Sequence, residues 1–304
     1  MSEKDFDQTT GTETTGHEWD GIKELDNPLP RWWLWIFYAC IAWSVVYWVL
    51  MPAWPAPPGM QGFTEGVRGN SERVNVANDM EALQASRAEH FAQLETAGSY
   101  QAIESDPVLF RFALAAGEST FANFCSTCHG AGAQGFVGYP NLNDDVWIWG
   151  GSYEAIQTTI RYGIRSDHPD TRFSQMPAFG ADGLLSREEI RNVRDYVLSL
   201  SGETGFEETA LSAGGTVFAQ QCASCHGDNG MGDRTQGAPD LTDAIWLYGG
   251  SPAQVENTIW RGPYGVMPAW EGRLDDPTIA AVAAYVYSLG GGEAAGTSGG
   301  AAGE

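Results

Sequence analysis

Four of the five cysteines fall in two copies of one five-residue motif, Cys125-Ser-Thr-Cys128-His129 and Cys222-Ala-Ser-Cys225-His226. Two thiols three residues apart, followed at once by an imidazole, suit covalent attachment of c-type haem. The thiols add to the two vinyl groups at one porphyrin edge, and the histidine falls beneath the iron as proximal ligand. A redox Cys-x-x-Cys has no need of the histidine. A zinc ribbon sets its cysteine pairs about 15–20 residues apart, whereas 93 residues separate Cys128 from Cys222. Structural disulfides would not predict two matching motifs.

A sixth iron ligand has to come from a later loop on the opposite side of the ring. Met176 and Met267 follow His129 and His226 by 47 and 41 residues, each within Met-Pro-Ala-aromatic. The proline keeps the loop extended and out of helix. Of the seven methionines, only these two stand at equivalent places. Met231 comes too soon after His226 to cross the ring, and Met51, Met60 and Met80 read as anchor or packing residues. His168, eight residues before Met176, is the rival ligand. It reads as a solvated loop histidine. Thioether ligation raises the potential relative to bis-histidine and suits late, high-potential electron transfer.

Other residues with chemical potential have simpler readings. Gly130-Ala-Gly132-Ala-Gln-Gly135 matches the dinucleotide fingerprint, but it follows a haem motif rather than a strand and reads as a flexible loop. Cys40 lies in an apolar run and reads as inert. His17 and His90 have no partners that suggest a metal site. Trp147, Trp149, Trp246 and Tyr248 are expected to pack around the haems. Arg161 and Arg261 are weak candidates for the haem propionates, because their places in the two copies differ by one residue.

The elements that must position these groups form an internal repeat. The cysteine motifs are offset by 97 residues, Trp147-Ile-Trp-Gly-Gly-Ser152 and Trp246-Leu-Tyr-Gly-Gly-Ser251 by 99, the methionine motifs by 91, and Tyr196-Val-Leu-Ser-Leu200 and Tyr285-Val-Tyr-Ser-Leu289 by 89. The first copy carries eight extra residues around Arg165–Gln175. Each copy reads as helix, loop, helix, loop, helix. Gly117, Phe121 and Cys125, like Gly214, Phe218 and Cys222, lie on one helical face. The closing helices present Ile190, Val193, Val197 and Leu200 in one copy and Ile279, Val282, Val286 and Leu289 in the other. Ser186-x-x-Glu189 predicts a capping box on the first, and Asp276-Pro277 a cap and N1 proline on the second.

Ahead of the repeat, Trp32 to Met51 is a charge-free run of twenty residues. At 1.5 Å per residue it spans about 30 Å, the thickness of a bilayer core. Trp32, Trp33 and Trp35 crowd one end and Tyr47, Trp48 and Trp54 the other, as in interfacial aromatic belts. The residues before it are acidic and no Ala-x-Ala follows it, so it reads as an uncleaved anchor. Nearby basic residues tie, with Lys23 and Arg31 before and Arg68 and Arg73 after, so they do not orient it.

The divisions expected are an acidic tail over 1–27, mobile; the anchor over 28–55; a linker with a helical segment over 56–107; two haem domains over 108–201 and 202–290; and a disordered tail over 291–304. The fold class is all-α.

The formal net charge is −23. Such a balance excludes a phosphate-backbone partner, which needs a basic footprint. Residues 1–27 carry −6, 108–200 only −3, and 201–304 −10. The second haem domain is therefore expected to steer a basic cytochrome c, through Glu207, Glu208, Asp228, Asp233, Asp240 and Asp243.

Glu24-Leu-Asp-Asn-Pro-Leu-Pro-Arg-Trp-Trp33, leading into one aromatic-rich anchor and then two haem motifs, resembles the CcoP/FixP family. That family comprises the membrane-anchored dihaem subunits of cbb3-type cytochrome c oxidases. The resemblance covers residues 20 to about 290. It implies two covalently bound haem c groups, on Cys125 and Cys128 and on Cys222 and Cys225, with His129 and His226 proximal and Met176 and Met267 distal. It also implies a place in the bacterial inner membrane, with the N-terminus cytoplasmic and the haem domains periplasmic. The implied partners are a catalytic haem-copper subunit, a monohaem cytochrome c subunit and a cytochrome c donor, without nucleic acid. The chain would transfer electrons and have no active site of its own. Each domain is expected to be self-contained, although packed domains could exchange methionine loops. A dihaem peroxidase or a free-standing anchored carrier are the competing readings.

Overall fold

The computed structural model describes residues 5–56 and 62–293, so Met60 and the tail beyond residue 293 lie outside the described residues. The chain divides into two units after Ser86.

In the first unit, two short strands, β1 (Thr14–Trp19) and β2 (Ile22–Leu25), pair antiparallel with Trp19 opposite Ile22 and Glu18 opposite Lys23. This hairpin orders part of the tail expected to be mobile, ahead of an otherwise helical chain. Its signal is Asp20-Gly21, whose φ angles of 49° and 83° suit a two-residue turn that matches strand twist. Lys23 forms ion pairs with Asp5 and Glu18.

Helix α1 (Arg31–Leu50) follows, with no buried residue and the length and composition to cross a membrane. Its last carbonyls do not go unpaired: Val67 N–H donates to Val49 O and Arg68 N–H to Leu50 O, at 2.9 and 3.2 Å. A returning loop thus caps the helix where its ladder runs out.

Helix α2 (Glu72–Ala97) contains the expected helical segment, but Met80, expected as a packing residue, is exposed, as is Leu83. Only its last turns join a core, through Phe91 and Leu94. Next come α3 (Tyr100–Ser105) and α4 (Pro107–Phe124), the latter capped by Asp106, whose carboxylate accepts from Val108 and Leu109 N–H.

The repeat then unfolds as α5 (Ser126–His129), α6 (Tyr153–Tyr162) and α7 (Arg187–Leu200), followed by α8 (Glu208–Gln221), α9 (Ala223–His226), α10 (Pro252–Arg261) and α11 (Asp276–Ser288). The Ser186–Glu189 capping box is present. The cap of α11 is Asp275 rather than Asp276, one residue earlier than expected, and it accepts from Thr278 N–H at 3.0 Å.

The packing of these helices differs from two self-contained copies. One core joins Leu109, Ala113 and Phe121 of α4 and Tyr153, Ile156 and Ile160 of α6 with Ile279, Val282 and Val286 of α11. The other joins Phe218 of α8 and Val255 and Ile259 of α10 with Ile190, Val193 and Val197 of α7. Each copy has given its closing helix to its sibling. The connection explains why. Residues 201–207 are all that separate α7 from α8, and a short link favours packing of consecutive helices against each other. With α7 occupied by α8, α11 is left for α4.

The exchange is reciprocal, as in an isologous dimer. Gly117 packs on the backbone of α11, where a Cβ would stand 2.3 Å from Ala281 O. Its counterpart Gly214 packs on α7, where a Cβ would stand 2.1 Å from Asn192 O.

Candidate haem-binding sites

Each Cys-x-x-Cys-His sequence lies at the end of a long helix and forms a single short turn. Cys125 N–H still donates to Phe121 O, and His129 N–H donates to Cys125 O. The turn brings the two thiols to one side and ends at Gly130, with Gly227 in the same place in the second copy. All four cysteines are free thiols, Cys125 and Cys222 half-buried and Cys128 and Cys225 exposed. Burial pushes the Cys125 and Cys222 thiols up to about 11, with the neighbouring cysteine adding to it.

The histidines are oriented from behind. His129 Nδ1 donates to Pro140 O and His226 Nδ1 to Pro239 O, each at 3.0 Å. A ring nitrogen that donates to a carbonyl fixes the tautomer and leaves the Nε2 lone pair free for a metal. Burial also pushes both imidazoles below their usual range, favouring the neutral form a metal requires.

The loops that place those carbonyls are tightly built rather than flexible. Gly135 N–H donates to His129 O and Gly232 N–H to His226 O, both at 2.8 Å. Leu142 N–H returns to Ala133 O, and Leu241 N–H to Gly230 O. The Gly130–Gly135 run is thus a close-packed turn behind the histidine, correcting the flexible-loop reading. The residues that sequence reasoning missed are Pro140 and Pro239. Their signal was available, since Pro-x-Leu recurs at a 99-residue offset in both copies.

The methionines lie across the exchange. Met267 packs with Cys125, Leu142 and Trp147 against the core of α4, α6 and α11. Met176 packs with Cys222, Leu241 and Trp246 against the core of α7, α8 and α10. Backbone pairing secures the first arrangement: Ile164 and Met267 exchange N–H···O bonds, both at 3.0 Å. Gly163, at φ +71°, lies so close that a Cβ would be 2.4 Å from Met267 O. Its counterpart Gly262, at φ +59°, stands in the same relation to Met176 O, also at 2.4 Å. Gly180 and Ala181 N–H both donate to Trp260 O, tying the Met176 loop to α10.

The four aromatic candidates divide into two kinds. Trp147 and Trp246 pack against the cores that hold Cys125 and Cys222. Trp149 and Tyr248 instead reach the opposite copy, Trp149 against Gly237 and Tyr248 against Gly138.

His168 is committed elsewhere. Its Nδ1 accepts from Asp170 N–H at 3.0 Å, its Nε2 donates to Glu271 at 2.8 Å, and its ring lies against Tyr162. Arg161 likewise pairs with Glu271 and Asp276, and Arg261 sits at the exposed end of α10. Neither arginine is held toward either core by a bond.

The residues present fit covalently held haem: paired free thiols on one turn, an imidazole with Nε2 spared, and a thioether packed into the same core. Among the described residues, no cluster of three or more His, Cys, Asp or Glu side chains offers another metal site.

Comparison with known proteins agrees with this chemistry. Residues 11–57 match the family described as the N-terminal domain of cytochrome oxidase-cbb3, FixP. Residues 112–197 and 209–286 each match cytochrome c oxidase, cbb3-type, subunit III. The chain is 51% identical over 289 residues to the cbb3-type cytochrome c oxidase subunit FixP of Bradyrhizobium sp. (strain ORS 278), covering 95% of this chain and 98% of that one. It is 50% identical over 296 residues to subunit CcoP of Cereibacter sphaeroides, covering 96% of this chain and all of that one. A similar match, 49% over 287 residues, is found with FixP of Azorhizobium caulinodans. An apolar anchor helix followed by two cytochrome c domains, over nearly the whole length of these relatives, places the chain in the CcoP/FixP family of cbb3-type cytochrome c oxidase subunits III.

Proposed function

We propose that this electron-transfer subunit carries two covalent haem c groups whose axial ligands are drawn from both copies of the repeat. Cys125 and Cys128 hold one haem, with His129 and Met267 as its axial ligands. Cys222 and Cys225 hold the other, with His226 and Met176. The observation that carries this reading is the packing of each Cys-x-x-Cys-His turn in one core with the methionine loop of the opposite copy.

When bound, haem supplies a one-electron ferric–ferrous couple. The chain's own residues determine how that couple is held. The carbonyls of Pro140 and Pro239 orient the imidazoles. The strand-like pairing of Ile164 with Met267 and the Gly180–Trp260 contact fix the thioether loops, so little rearrangement accompanies a change of charge. Phe121, Ile156 and Val282 around one site, and Phe218, Ile190 and Val255 around the other, exclude water from it.

In the oxidase, the subunit accepts electrons from a periplasmic or membrane-anchored cytochrome c. It passes them through its two haems towards a catalytic haem-copper subunit, beside a monohaem cytochrome c subunit. Helix α1 anchors it in the bacterial inner membrane, with the N-terminus cytoplasmic and the haem-bearing repeats, over 108–201 and 202–290, periplasmic. Of the six acids expected to draw a basic donor, Glu207, Glu208 and Asp228 are exposed. The other three support their own turns: Asp233 binds Thr235 and Gln236, Asp240 binds Thr242, and Asp243 accepts from Ile245 N–H. Donor attraction therefore falls chiefly to the first three.

The ligand assignment is tested in single-haem chains. With Cys222→Ser and Cys225→Ser removing one haem, Met267→Ala should abolish the methionine–iron charge-transfer band and lower the midpoint of the haem that remains. Met176→Ala should leave both. The opposite result would restore ligation within each copy.

A further inference from the structure

We propose that Trp149 of the first copy is a positioning residue for the haem attached in the second, holding the loop that orients His226. The inference rests on the haem-binding reading above and concerns the side of the iron away from the methionine. The carbonyl that accepts from His226 Nδ1 belongs to Pro239, and Gly237 stands two residues before it. Gly237 lies against the six-membered ring of the Trp149 indole, where a Cβ would stand within 2.5 Å of Cζ2, Cε2 and Cη2. A glycine, here at φ +62°, lets the backbone come this close.

Between that contact and the histidine the chain has little slack. Asp233 N–H donates to Ala238 O at 2.9 Å and Ala238 N–H to Asp233 O at 3.0 Å, which closes the turn. On its other flank, Gly232 N–H donates to His226 O, and a Cβ at Gly232 would be 2.6 Å from Ala238 O. A displacement at Gly237 is therefore passed to the Pro239 carbonyl rather than absorbed. The indole is itself fixed: Arg172 donates to Trp149 O at 2.8 Å, and its guanidinium carbon lies 5.4 Å from the ring centre. A second tie joins the same turn to the first copy, since Arg234 pairs with Glu293 and Glu293 accepts from Gly151 N–H at 2.7 Å. Loss of the ring would thus loosen the turn without releasing it.

The related contact in the other copy is built differently. Tyr248 lies 3.7 Å from where a Cβ on Gly138 would stand, and Gly138 N–H donates to Leu247 O at 2.7 Å. The loop behind His129 is held by the opposite copy through a main-chain bond, and the loop behind His226 through a side chain. A bond from Nδ1–H to a carbonyl raises the basicity of the imidazole, and such bonds tune the potential of the iron it ligates. Lengthening that bond makes the imidazole a poorer donor and favours the ferrous state.

The test is redox potentiometry on the full-length, detergent-solubilised chain, with covalent haem counted by mass and the midpoints assigned from the single-haem chains. Trp149→Ala should raise the midpoint of the haem on Cys222 and Cys225. It should also speed solvent exchange of the His226 Nδ1 proton, followed by NMR of the reduced protein. The haem on Cys125 and Cys128 should keep its midpoint, although Trp149 belongs to its own copy. Trp149→Phe, which keeps an aromatic ring beside Gly237, should stay closer to the parent. Gly237→Ala, which leaves the indole and wedges a methyl against it, should shift the same haem alone, and it tests the contact even where Trp149→Ala does not fold. An unchanged or lowered midpoint of the Cys222–Cys225 haem in Trp149→Ala, with both haems attached, would overturn the proposal. So would a shift of the other haem, equal shifts in the alanine and phenylalanine variants, or an unchanged His226 proton. Failure of the underlying reading would look different: fewer than two covalent haems in the unsubstituted chain.

Discussion

Gly163→Ala tests the exchanged architecture through a residue that is 104 positions from the methionine it supports. At φ +71° and ψ −172°, an alanine would sit in a backbone region essentially confined to glycine, at a cost of roughly 1–3 kcal/mol. Reduced freedom in the unfolded chain returns about 0.4–1 kcal/mol of that. The larger effect is steric. The new methyl would stand 2.4 Å from Met267 O and 2.8 Å from Ala269 N. Both are rigid backbone atoms, so the Met267 loop must retreat by about 1 Å to restore ordinary contact. A net penalty of about 1–2 kcal/mol on the ligated state corresponds to a roughly 5–30-fold rise in the fraction with methionine displaced. The assay is denaturant titration of the methionine–iron charge-transfer band in each single-haem chain. Gly163→Ala should move the midpoint to lower denaturant for the haem on Cys125 and Cys128 alone, and Gly262→Ala for the haem on Cys222 and Cys225 alone. If Gly163→Ala weakened the second haem instead, the methionine assignment would be wrong.

Phe218→Ala removes a side chain that is 1% exposed and should cost about 3–5 kcal/mol in unfolding free energy, measured by denaturation followed by circular dichroism. Ser186→Ala breaks the capping box of α7 and should cost about 1 kcal/mol in the same measurement. Neutralising Glu207, Glu208 and Asp228 together should flatten the salt dependence of electron transfer from a basic cytochrome c without changing its high-salt rate. The Asp233 carboxyl is held below its ordinary value of 3.8 by bonds from Thr235 and Gln236. Its contribution to the 233–238 turn is therefore complete above pH 3.8 and lost as pH falls through the lower folded value. Asp233→Asn should remove that acid limb from an NMR pH titration of the turn.

The sequence was most legible where chemistry dictates spacing. The two Cys-x-x-Cys-His turns, the placement of Phe121 and Phe218 one turn earlier, and the stripes of α7 and α11 follow from helical periodicity alone. Which stripe covers which core does not, because α7 and α11 present the same kind of apolar face. The 201–207 link decides that choice, and its length only becomes informative once both helix ends are known. The hairpin at Asp20-Gly21 was legible and was masked by the acidity of its surroundings.

The exchange of closing helices also sets an order of maturation along a growing chain. Once residues up to about 262 have emerged, the core of α7, α8 and α10 is complete, with Cys222, Cys225, His226 and Met176 all present. The other core still lacks Met267 and α11, although its cysteines appeared more than a hundred residues earlier. The site that begins first is therefore finished last. Through that interval its thiols and imidazole wait beside an apolar face of α4 that α11 does not yet cover.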